Sequence, residues 1–331
     1  MARRILRWGA SLVLLALSAL ALWLYAPDKP RAALEAAYPG EYLHVRGQRV
    51  RMRDTGPRDA PALILLHGFG ASLDTWDPWA KALSGQYRVI RLDLPGFGLT
   101  GPDETRDYSD ARTLLVLEGL MDRLGVARAT LIGNSLGGRF AWEFAARFPL
   151  RVEKLVLISP DGFASPGFDY GKAPEVPFVM NLMPWVGARA LIRDNLAPAW
   201  ANPEALPDAV LDRYRDMLLA PGVRHAILDR TRQTILTDPS ARLSTITAPT
   251  LILWGEQDRM IPIRNAQDYL RLMPHVCLVR LPGMGHVPFE ESPAASLPPL
   301  VRFLAGGKGL MLSLRSASSE GGGETIPCPA G

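Results

Sequence analysis

Cysteine is scarce in this chain, and so are the residue spacings that bind metals. The 331 residues include two cysteines, Cys277 and Cys328, and five histidines. Two cysteines provide no disulfide framework, and no group of cysteine, histidine and acidic residues has metal-ligand spacing. Cys277 lies in an apolar run, where a small buried residue is expected. The sequence therefore predicts neither a metal nor a cofactor.

The chain also lacks a strong excess of charge. Its formal net charge is +4, and Arg3, Arg4 and Arg7 supply three of those charges. The remainder is nearly neutral, so no nucleic-acid partner is expected. Hydrophobic residues make up 48% and charged residues 21% of the sequence, as in an ordinary globular protein with a large core. The length suits one large domain with an insertion.

One long uncharged stretch stands at the N-terminus, from Trp8 to Ala26. As a helix it would extend roughly 28 Å, about the hydrocarbon thickness of a bilayer. Arginines precede it and the charges that follow cancel, so the positive-inside rule places the rest of the chain on the extracytoplasmic, periplasmic side. We predict a membrane anchor over residues 1–27. Two alternatives are a signal peptide cleaved after Ala19-Leu20-Ala21 and the buried helix of a soluble domain.

The most informative motif is a serine between glycines. Residues 131–138 read LIGNSLGG and directly follow an apolar run that begins near Ala129. Gly133, Ser135 and Gly137 form a G-x-S-x-G motif where a predicted strand meets a predicted helix. Such a sharp turn exposes the serine hydroxyl above a helix N-terminus, and small neighbours relieve the crowding. Ser135 is therefore a candidate nucleophile.

Three further segments read as a buried strand followed by a loop. Residues 62–70 end in the sequence HGFG, residues 249–258 end at Asp258, and residues 277–286 end at His286. Open α/β sheets place their sites just beyond the carboxyl ends of strands. His286 is the candidate base for Ser135, and Asp258 is the acid that would orient it. Asp161 and Glu256 are the alternative acids.

Strand and helix patterns alternate along the rest of the chain, which predicts a parallel sheet flanked by helices. A linker is expected at 28–40 and a hairpin at 41–56. Further strands are expected at 62–66, 88–93 and 154–159, and helices at 72–84 and 110–125. Nearly ninety residues then separate two strands, far more than a crossover needs. We predict a helical cap at 161–245, with helices near 186–196, 207–219 and 223–236. The core comprises residues 28–160 and 246–305, followed by a disordered tail at 306–331.

These motifs resemble the α/β-hydrolase superfamily over roughly residues 41–305, in its chain order of serine, acid and histidine. The resemblance implies an α/β-hydrolase fold with a mostly parallel twisted sheet and an inserted cap. It also implies that the backbone N–H groups of Phe69 and Leu136 form the oxyanion hole. His67 would order its own loop, and Asp93 matches a structural turn of the superfamily.

The same resemblance argues against some activities of the superfamily and leaves others open. Haloalkane dehalogenases and epoxide hydrolases carry aspartate in place of Ser135, and proline iminopeptidases carry tryptophan in place of Leu136. Cofactor-free haloperoxidases share most of these motifs. The pair Asn134-Ser135 is similar to the meta-cleavage C–C hydrolases, but the HGFG loop lacks their proline. We predict a membrane-anchored serine esterase or lipase-like hydrolase acting on a small-molecule carboxylic ester. The alternatives are a C–C hydrolase and a non-catalytic ligand-binding envelope protein.

The cap bears on the substrate. Its apolar residues are expected to line the substrate pocket or to pack inside the cap: Phe178, Met180, Leu182, Met183 and Trp185. A C–C hydrolase would need cations to hold the carboxylate of its substrate. The candidates for that role are Arg139, Arg189 and Arg193. The prediction therefore favours uncharged short-to-medium acyl esters, and the oligomeric state stays open.

Overall fold

The computed structural model describes residues 2–164 and 169–306 of the protein. The predicted disordered tail lies outside the described residues from position 307 onward, and Cys328 lies there with it. The other predicted elements all fall within the described ranges, apart from a few residues of the cap.

An eight-stranded sheet organises the fold. Its strands are β1 Glu41–Val45, β2 Gln48–Thr55, β3 Ala62–Leu66, β4 Arg88–Leu92, β5 Ala129–Asn134, β6 Val152–Ile158, β7 Thr250–Gly255 and β8 Val276–Leu281. The spatial order is β1-β2-β4-β3-β5-β6-β7-β8. The six strands from β4 to β8 in that order are parallel, and the β1–β2 hairpin joins the β4 edge antiparallel. The α/β-hydrolase fold class predicted from the sequence is confirmed.

Twelve α-helices accompany the sheet in the described part of the chain. They are α1 Ala2–Leu24, α2 Arg31–Ala37, α3 Asp77–Leu83, α4 Asp110–Arg123, α5 Leu136–Arg147, α6 Arg189–Leu196, α7 Asp208–Leu218, α8 Val223–Gln233, α9 Ser240–Leu243, α10 Ala266–Leu272, α11 Pro288–Glu291 and α12 Pro293–Leu304. A 3₁₀ helix, Leu73–Trp76, begins the helix predicted at 72–84. The helices predicted at 110–125, 186–196, 207–219 and 223–236 are present, with ends shifted by a few residues.

The core has two layers because both faces of the sheet are covered. Along β3, Ile64 and Leu66 join one hydrophobic cluster, whereas Leu63 and Leu65 join the other. All four side chains are buried, which explains why the strand reads as continuously aliphatic rather than alternating. The chain order reverses at β3, since β4 lies on one side of it and β5 on the other. The carboxyl ends of β3 and β5 therefore form the crevice where such sheets bind ligands.

The predicted hairpin is present, and a two-residue turn connects its strands. Arg46 and Gly47 connect β1 to β2 and both have positive φ, 52° and 83°. A two-residue turn with positive φ at both positions matches the twist of the flanking strands. Gln48 therefore belongs to β2 rather than to the turn.

The linker predicted at 28–40 is wrong, because this segment folds and packs. Residues Arg31–Ala37 form α2, whose Leu34 is buried in the core. Arg31 Nη1 donates to the carbonyl of Leu99 at 2.8 Å, and Arg49 Nη1 pairs with Glu35 Oε1 at 3.0 Å. A segment with a single buried leucine shows little hydrophobic periodicity, so the sequence pattern does not predict this helix.

The N-terminal helix α1 carries one candidate membrane span, Arg7–Leu24, with a mean hydropathy of 1.6 and none of it buried against the rest of the protein. Full exposure excludes the alternative of a buried helix within a soluble domain. A signal sequence passes the same test of length and composition. The structure therefore supplies an exposed apolar N-terminal helix, and its cellular role belongs to the proposal below.

Residues 161–245 lie between β6 and β7 and contain α6, α7, α8 and α9. Two 3₁₀ turns, Ala197–Ala199 and Pro203–Ala205, separate α6 from α7. A longer 3₁₀ helix, Phe178–Trp185, precedes α6. The helical character of the insertion agrees with the prediction, while its boundaries as a cap stay a prediction.

Candidate active site

Ser135 occupies a strained turn between β5 and α5. Its backbone has φ 53° and ψ −120°, a conformation that residues other than glycine rarely adopt. The turn needs glycine on either side of it. A Cβ on Gly133 would lie 2.3 Å from the carbonyl oxygen of Gly137, and one on Gly137 would lie 2.2 Å from that of Leu66. The G-x-S-x-G spacing thus follows from the close approach of backbone to backbone.

His286 and Asp258 form a buried pair. His286 Nδ1 lies 2.8 Å from Asp258 Oδ2, and both residues are less than a tenth exposed. The other oxygen, Asp258 Oδ1, accepts hydrogen bonds from the backbone N–H groups of Met260 and Ile261, each at 2.9 Å. A carboxylate held in this way accepts the proton of Nδ1. Nε2 is then the nitrogen that can accept a proton from a serine.

The histidine loop is fastened to the serine turn by Asn134. The Asn134 side-chain nitrogen donates to the carbonyl of His286 at 3.0 Å and to that of Ile158 at 3.1 Å. Because Asn134 directly precedes Ser135, these bonds bring the end of β8's loop onto the end of β5. In the sequence Asn134 served only as a point of family resemblance, so its positioning role was missed.

Glu291 fastens the same loop from the other side. One of its oxygens accepts from the N–H of Gly285 at 2.6 Å, and the other accepts from the N–H of Ala201 at 2.9 Å. The N–H of His286 donates to the carbonyl of Ala199 at 2.7 Å. The segment between β6 and β7 therefore helps to position the histidine. The sequence contains no signal for this role, since Glu291 reads as an ordinary helix-end acid.

The two alternative acids have other partners. Asp161 Oδ2 pairs with Arg139 Nη1 at 3.1 Å, and its backbone N–H donates to the carbonyl of Ser135 at 3.1 Å. Glu256 Oε1 pairs with Arg280 Nε at 2.8 Å. Of the three candidates, Asp258 is the one hydrogen-bonded to the imidazole.

The HGFG loop lies directly against the serine turn. A Cβ on Gly68 would lie 3.3 Å from Ser135 Cβ and 2.8 Å from Asn134 Oδ1. This closeness places the backbone of Phe69 beside Leu136, the first residue of α5, whose N–H belongs to the free N-terminus of that helix. The two predicted oxyanion donors thus lie on adjoining loops, and their role stays a prediction.

His67 orders this loop. Its Nε2 accepts a hydrogen bond from the N–H of Leu94 at 3.0 Å, so Nδ1 carries the proton and donates to the carbonyl of Gly68 at 2.7 Å. Burial lowers the pKa of His67 and favours this neutral form. Asp93, in the neighbouring turn, accepts from the N–H groups of Leu73 and Leu99, each at 2.7 Å. Both side chains therefore hold the backbone of neighbouring loops in place by hydrogen bonds.

A cavity of about 270 Å³ opens beside Ser135. Its walls come from the HGFG loop, α5, the end of β6 and α8: Phe69, Ser135, Leu136, Arg139, Asp161, Arg230, Thr231, Thr234 and Leu236. The expectation that Phe178, Met180, Leu182, Met183 and Trp185 line the pocket or pack inside the cap is wrong for most of them. Four of these side chains are exposed to solvent, and Met183 packs partly buried against the core.

Two arginines line the cavity, and they differ in whether a carboxylate pairs with the guanidinium. Arg139 is ion-paired with Asp161 and with Asp110. Arg230 is 1% exposed and donates to the carbonyls of Tyr108 and Pro95, at 3.1 and 2.8 Å. Within the described ranges no carboxylate lies within 4.0 Å of the Arg230 guanidinium. Burial lowers the pKa of Arg230 to about 10, so it stays a cation at neutral pH.

Arg230 was missed at the sequence level, whereas Arg189 and Arg193 were proposed and lie elsewhere. Arg189 pairs with Asp208 and Asp212 on the surface, and Arg193 pairs with Asp208. The available signal was helical spacing, because Arg230 follows buried Val223 and Ile227 on one face of α8. An arginine in that pattern points inward.

No group of three or more cysteine, histidine or acidic side chains is placed to hold a metal ion in residues 2–164 and 169–306. The groups identified at the site are side chains and backbone N–H groups. A serine on a strained turn, an imidazole held by a carboxylate and a helix N-terminus are the parts that acyl transfer requires.

The chain is similar to known proteins of one family. The family model described as the alpha/beta hydrolase fold matches residues 61–293. A curated relative, the 2-hydroxy-6-oxo-6-phenylhexa-2,4-dienoate hydrolase of Burkholderia cepacia, is 30% identical over 263 residues, which cover 72% of this chain and 85% of the relative.

Two solved structures extend the comparison. A structure described as a membrane phospholipase A, a bacterial virulence factor, is 27% identical with a TM-score of 0.67, and the match covers 92% of this chain and 99% of that one. A putative lipase from Acinetobacter baumannii is 26% identical with a TM-score of 0.71, covering 85% and 97%. Together with the strand order and the site, these matches show that the chain belongs to the α/β-hydrolase fold family.

Proposed function

We propose that this protein is a serine hydrolase that cleaves carboxylic esters through an acyl-enzyme intermediate and is anchored to a membrane by α1, with its catalytic domain on the periplasmic side. The observation that carries the proposal is the strained turn at Ser135, which Asn134 hydrogen-bonds to the loop of the His286–Asp258 pair. The proposed catalytic residues are therefore Ser135, Asp258 and His286.

The first half of the reaction forms the acyl-enzyme. Ser135 Oγ attacks the ester carbonyl carbon while its proton passes to His286 Nε2. The carbonyl oxygen becomes an oxyanion that accepts hydrogen bonds from the N–H groups of Phe69 and Leu136, each typically worth about 3 kcal/mol of barrier. Collapse of this intermediate breaks the ester C–O bond, and the alcohol leaves with the proton from Nε2.

The second half releases the acid. Water gives a proton to His286 Nε2 and attacks the acyl carbon, and the bond to Ser135 Oγ then breaks as Oγ takes the proton back. Asp258 stabilises the imidazolium that forms in each half. No group outside the described site is needed.

Three observations support the ester assignment and the anchor. The structural match to the membrane phospholipase A covers 92% of this chain, a larger share than the 80% covered by the structural match to a meta-cleavage product hydrolase that is 25% identical. The span Arg7–Leu24 is exposed along its whole length, as a helix surrounded by lipid would be. Thr231, Thr234 and Leu236 supply an uncharged wall to the cavity.

Arg230 supports a second candidate, a C–C hydrolase acting on a carboxylate-bearing dienol. A buried guanidinium without a carboxylate partner can bind the carboxylate of a substrate. The relative from Burkholderia cepacia is named as the hydrolase of a dienoate, which is a carboxylate of this kind. The ester assignment is preferred because Arg230 already donates to two backbone carbonyls and packs among the rings of Phe97, Tyr108 and Phe140, at 5.2 to 5.6 Å.

One set of measurements tests both candidates on the full-length protein in detergent. A fluorophosphonate probe should label Ser135, as read by peptide mapping, and Ser135→Ala should lower kcat on the order of 10⁶-fold. Ser244→Ala, an exposed serine outside the cavity, serves as the matched control and should keep full activity. A label at another residue would remove the serine-hydrolase assignment.

The choice between substrates follows from kcat/KM for p-nitrophenyl butyrate and for a meta-cleavage dienol. We expect the ester to be preferred. A preference of more than about tenfold for the dienol, roughly 1.4 kcal/mol in transition-state binding, would promote the C–C hydrolase instead. The anchor is tested separately, because a spanning helix should keep the protein in membranes washed with high salt and carbonate.

A further inference from the structure

A contiguous apolar surface lies on the 3₁₀ helix Phe178–Trp185. Phe178 is 86% exposed, Val179 64%, Leu182 55% and Trp185 53%. These four side chains are called the cap patch below. Residues 176–188 contain no charged side chain. Single exposed apolar residues are common, whereas a run of four on one short element usually marks an interaction surface.

The cap patch is hydrogen-bonded to the end of the apolar helix α1. Tyr25 and Val186 form an antiparallel bridge. The N–H of Ala26 donates to the carbonyl of Trp185 at 3.0 Å, and the N–H of Gly187 donates to that of Leu24 at 3.0 Å. The patch therefore ends where the candidate membrane span Arg7–Leu24 ends.

This junction is fixed by a buried arginine. Arg224 Nη1 donates to the carbonyls of Ala26 and Val186, at 2.7 and 3.1 Å, and its Nη2 pairs with Asp28 at 2.6 Å. The Arg224 side chain is 2% exposed. A Cβ on Gly187 would lie 2.6 Å from Ala26 Cβ, so the backbone of Gly187 packs directly against the side chain of Ala26. The cap patch cannot swing away from the end of α1 without breaking these bonds.

We propose that the cap patch lies in the lipid interface of the membrane that α1 spans. The proposal rests on the anchoring part of the proposed function. A span of 18 residues extends about 27 Å, so its last turn reaches the headgroup boundary. A segment hydrogen-bonded to that turn lies at the same depth. Trp23, Tyr25 and Trp185 are each more than half exposed there, and aromatic rings of this kind favour the interface.

The cap patch also contacts the helix that walls the cavity. Trp185 packs edge-to-face on His225, with ring centroids 6.0 Å apart. Arg232 donates to the side-chain oxygen of Asn181. Both partners lie on α8, which supplies Arg230, Thr231 and the adjoining Thr234 to the cavity. A bilayer under the patch would thus lie against the α8 side of the cavity, which suits an acyl ester drawn from the membrane.

Depth labelling tests the proposal without relying on activity. Full-length Phe178→Cys and Leu182→Cys proteins are labelled with a nitrobenzoxadiazole maleimide and reconstituted into phosphatidylcholine vesicles. Leu150→Cys is the matched control, because Leu150 is 89% exposed on a 3₁₀ turn that leads into the amino end of β6. Unsubstituted protein taken through the same labelling gives the background.

Labels at 178 and 182 should shift their emission to the blue and lose at least about twofold in intensity when the vesicles contain a doxyl-labelled lipid. The label at 150 should do neither. If the labels at 178 and 182 behave like the label at 150, the cap patch faces water and the proposal is wrong. This measurement does not depend on ester cleavage. Its result can therefore contradict the membrane position of the cap patch without contradicting the catalytic assignment.

A charge-bearing variant tests the consequence for substrate. In the same vesicles, Phe178→Asp/Leu182→Asp should lower kcat/KM by about tenfold for a long-chain fluorogenic ester embedded in the bilayer. Its kcat/KM for soluble p-nitrophenyl butyrate should stay within about twofold, because neither residue lines the cavity. Equal activity of variant and unsubstituted protein on the embedded ester would overturn the inference.

Discussion

Replacing Asp258 by asparagine should nearly abolish turnover, and the geometry gives the reason. Asp258 Oδ1 accepts from two backbone N–H groups, those of Met260 and Ile261, and Oδ2 accepts from His286. In Asp258→Asn the single amide oxygen stays with the two backbone donors. The amide NH₂ then faces His286 Nδ1, which must become an acceptor, so the ring proton moves to Nε2.

An imidazole protonated on Nε2 cannot take the proton of Ser135. The equivalent change in a chymotrypsin-like triad costs about 10⁴-fold in kcat, which corresponds to about 5.5 kcal/mol. We expect a loss of this order in kcat for p-nitrophenyl butyrate, with little change in KM. The fold should persist, because asparagine preserves the shape and both backbone hydrogen bonds.

Asp161→Asn is the matched control. Asp161 pairs with Arg139, which keeps Asp110 as a second partner, and the N–H of Asp161 still donates to Ser135. The loss in kcat should therefore stay within about tenfold. If Asp161→Asn were the inactive variant and Asp258→Asn retained turnover, the acid would be misassigned although the fold would stand.

Three further variants test the site and its supports. Gly137→Ala should not yield folded, active protein, since its Cβ would lie 2.2 Å from the Leu66 carbonyl; Gly85→Ala, where nothing lies within 4 Å, should behave normally in expression and thermal melts. Asn134→Ala should lower kcat about tenfold with KM within about twofold, because it loses the bond to the His286 carbonyl. A kcat as high as that of the control Ser244→Ala would rule out the positioning role. Burial raises the pKa of Glu143 to about 7, above its ordinary 4.5, despite Arg242 beside it. The folded state thus keeps a proton that the unfolded state releases, and this contribution is fully present below about pH 4.5 and lost as the pH rises through 7. The Tm of the unsubstituted protein should fall relative to Glu143→Gln between about pH 6 and about pH 8, and parallel curves would contradict the assignment.

The sequence was most informative where backbone geometry dictates residue type. The serine turn can form only with glycine at positions 133 and 137, so the sequence motif predicts the turn. The buried strands were equally clear, because a strand covered on both faces must be aliphatic throughout. These two constraints predicted the fold class and Ser135 as the candidate nucleophile, whereas the acid kept Asp161 and Glu256 as alternatives to Asp258, the one that the structure pairs with His286.

Contacts between distant segments left no such signal. The bond from Asn134 to the His286 carbonyl and the two bonds of Glu291 depend on how the loops meet in space. The same is true of α2, whose packing depends on one leucine. Phe178, Leu182 and Trp185 of the cap patch were predicted to face the cavity or the cap interior because they are apolar, and hydrophobicity alone does not distinguish an exposed surface from an internal wall.

The Arg224 junction also has a consequence for the order in which the chain folds. The bonds of Arg224 to Ala26 and Asp28 join positions nearly two hundred residues apart in sequence. Contacts of such high sequence separation form late, since they must first overcome the entropy of closing a long loop. During synthesis, residues 26–28 emerge early and their partner is made only after β6 and much of the insertion. The bonds from Arg224 to the start of the chain therefore form only after two thirds of the protein exists, and the orientation of α1 relative to the hydrolase domain is among the last features to be set.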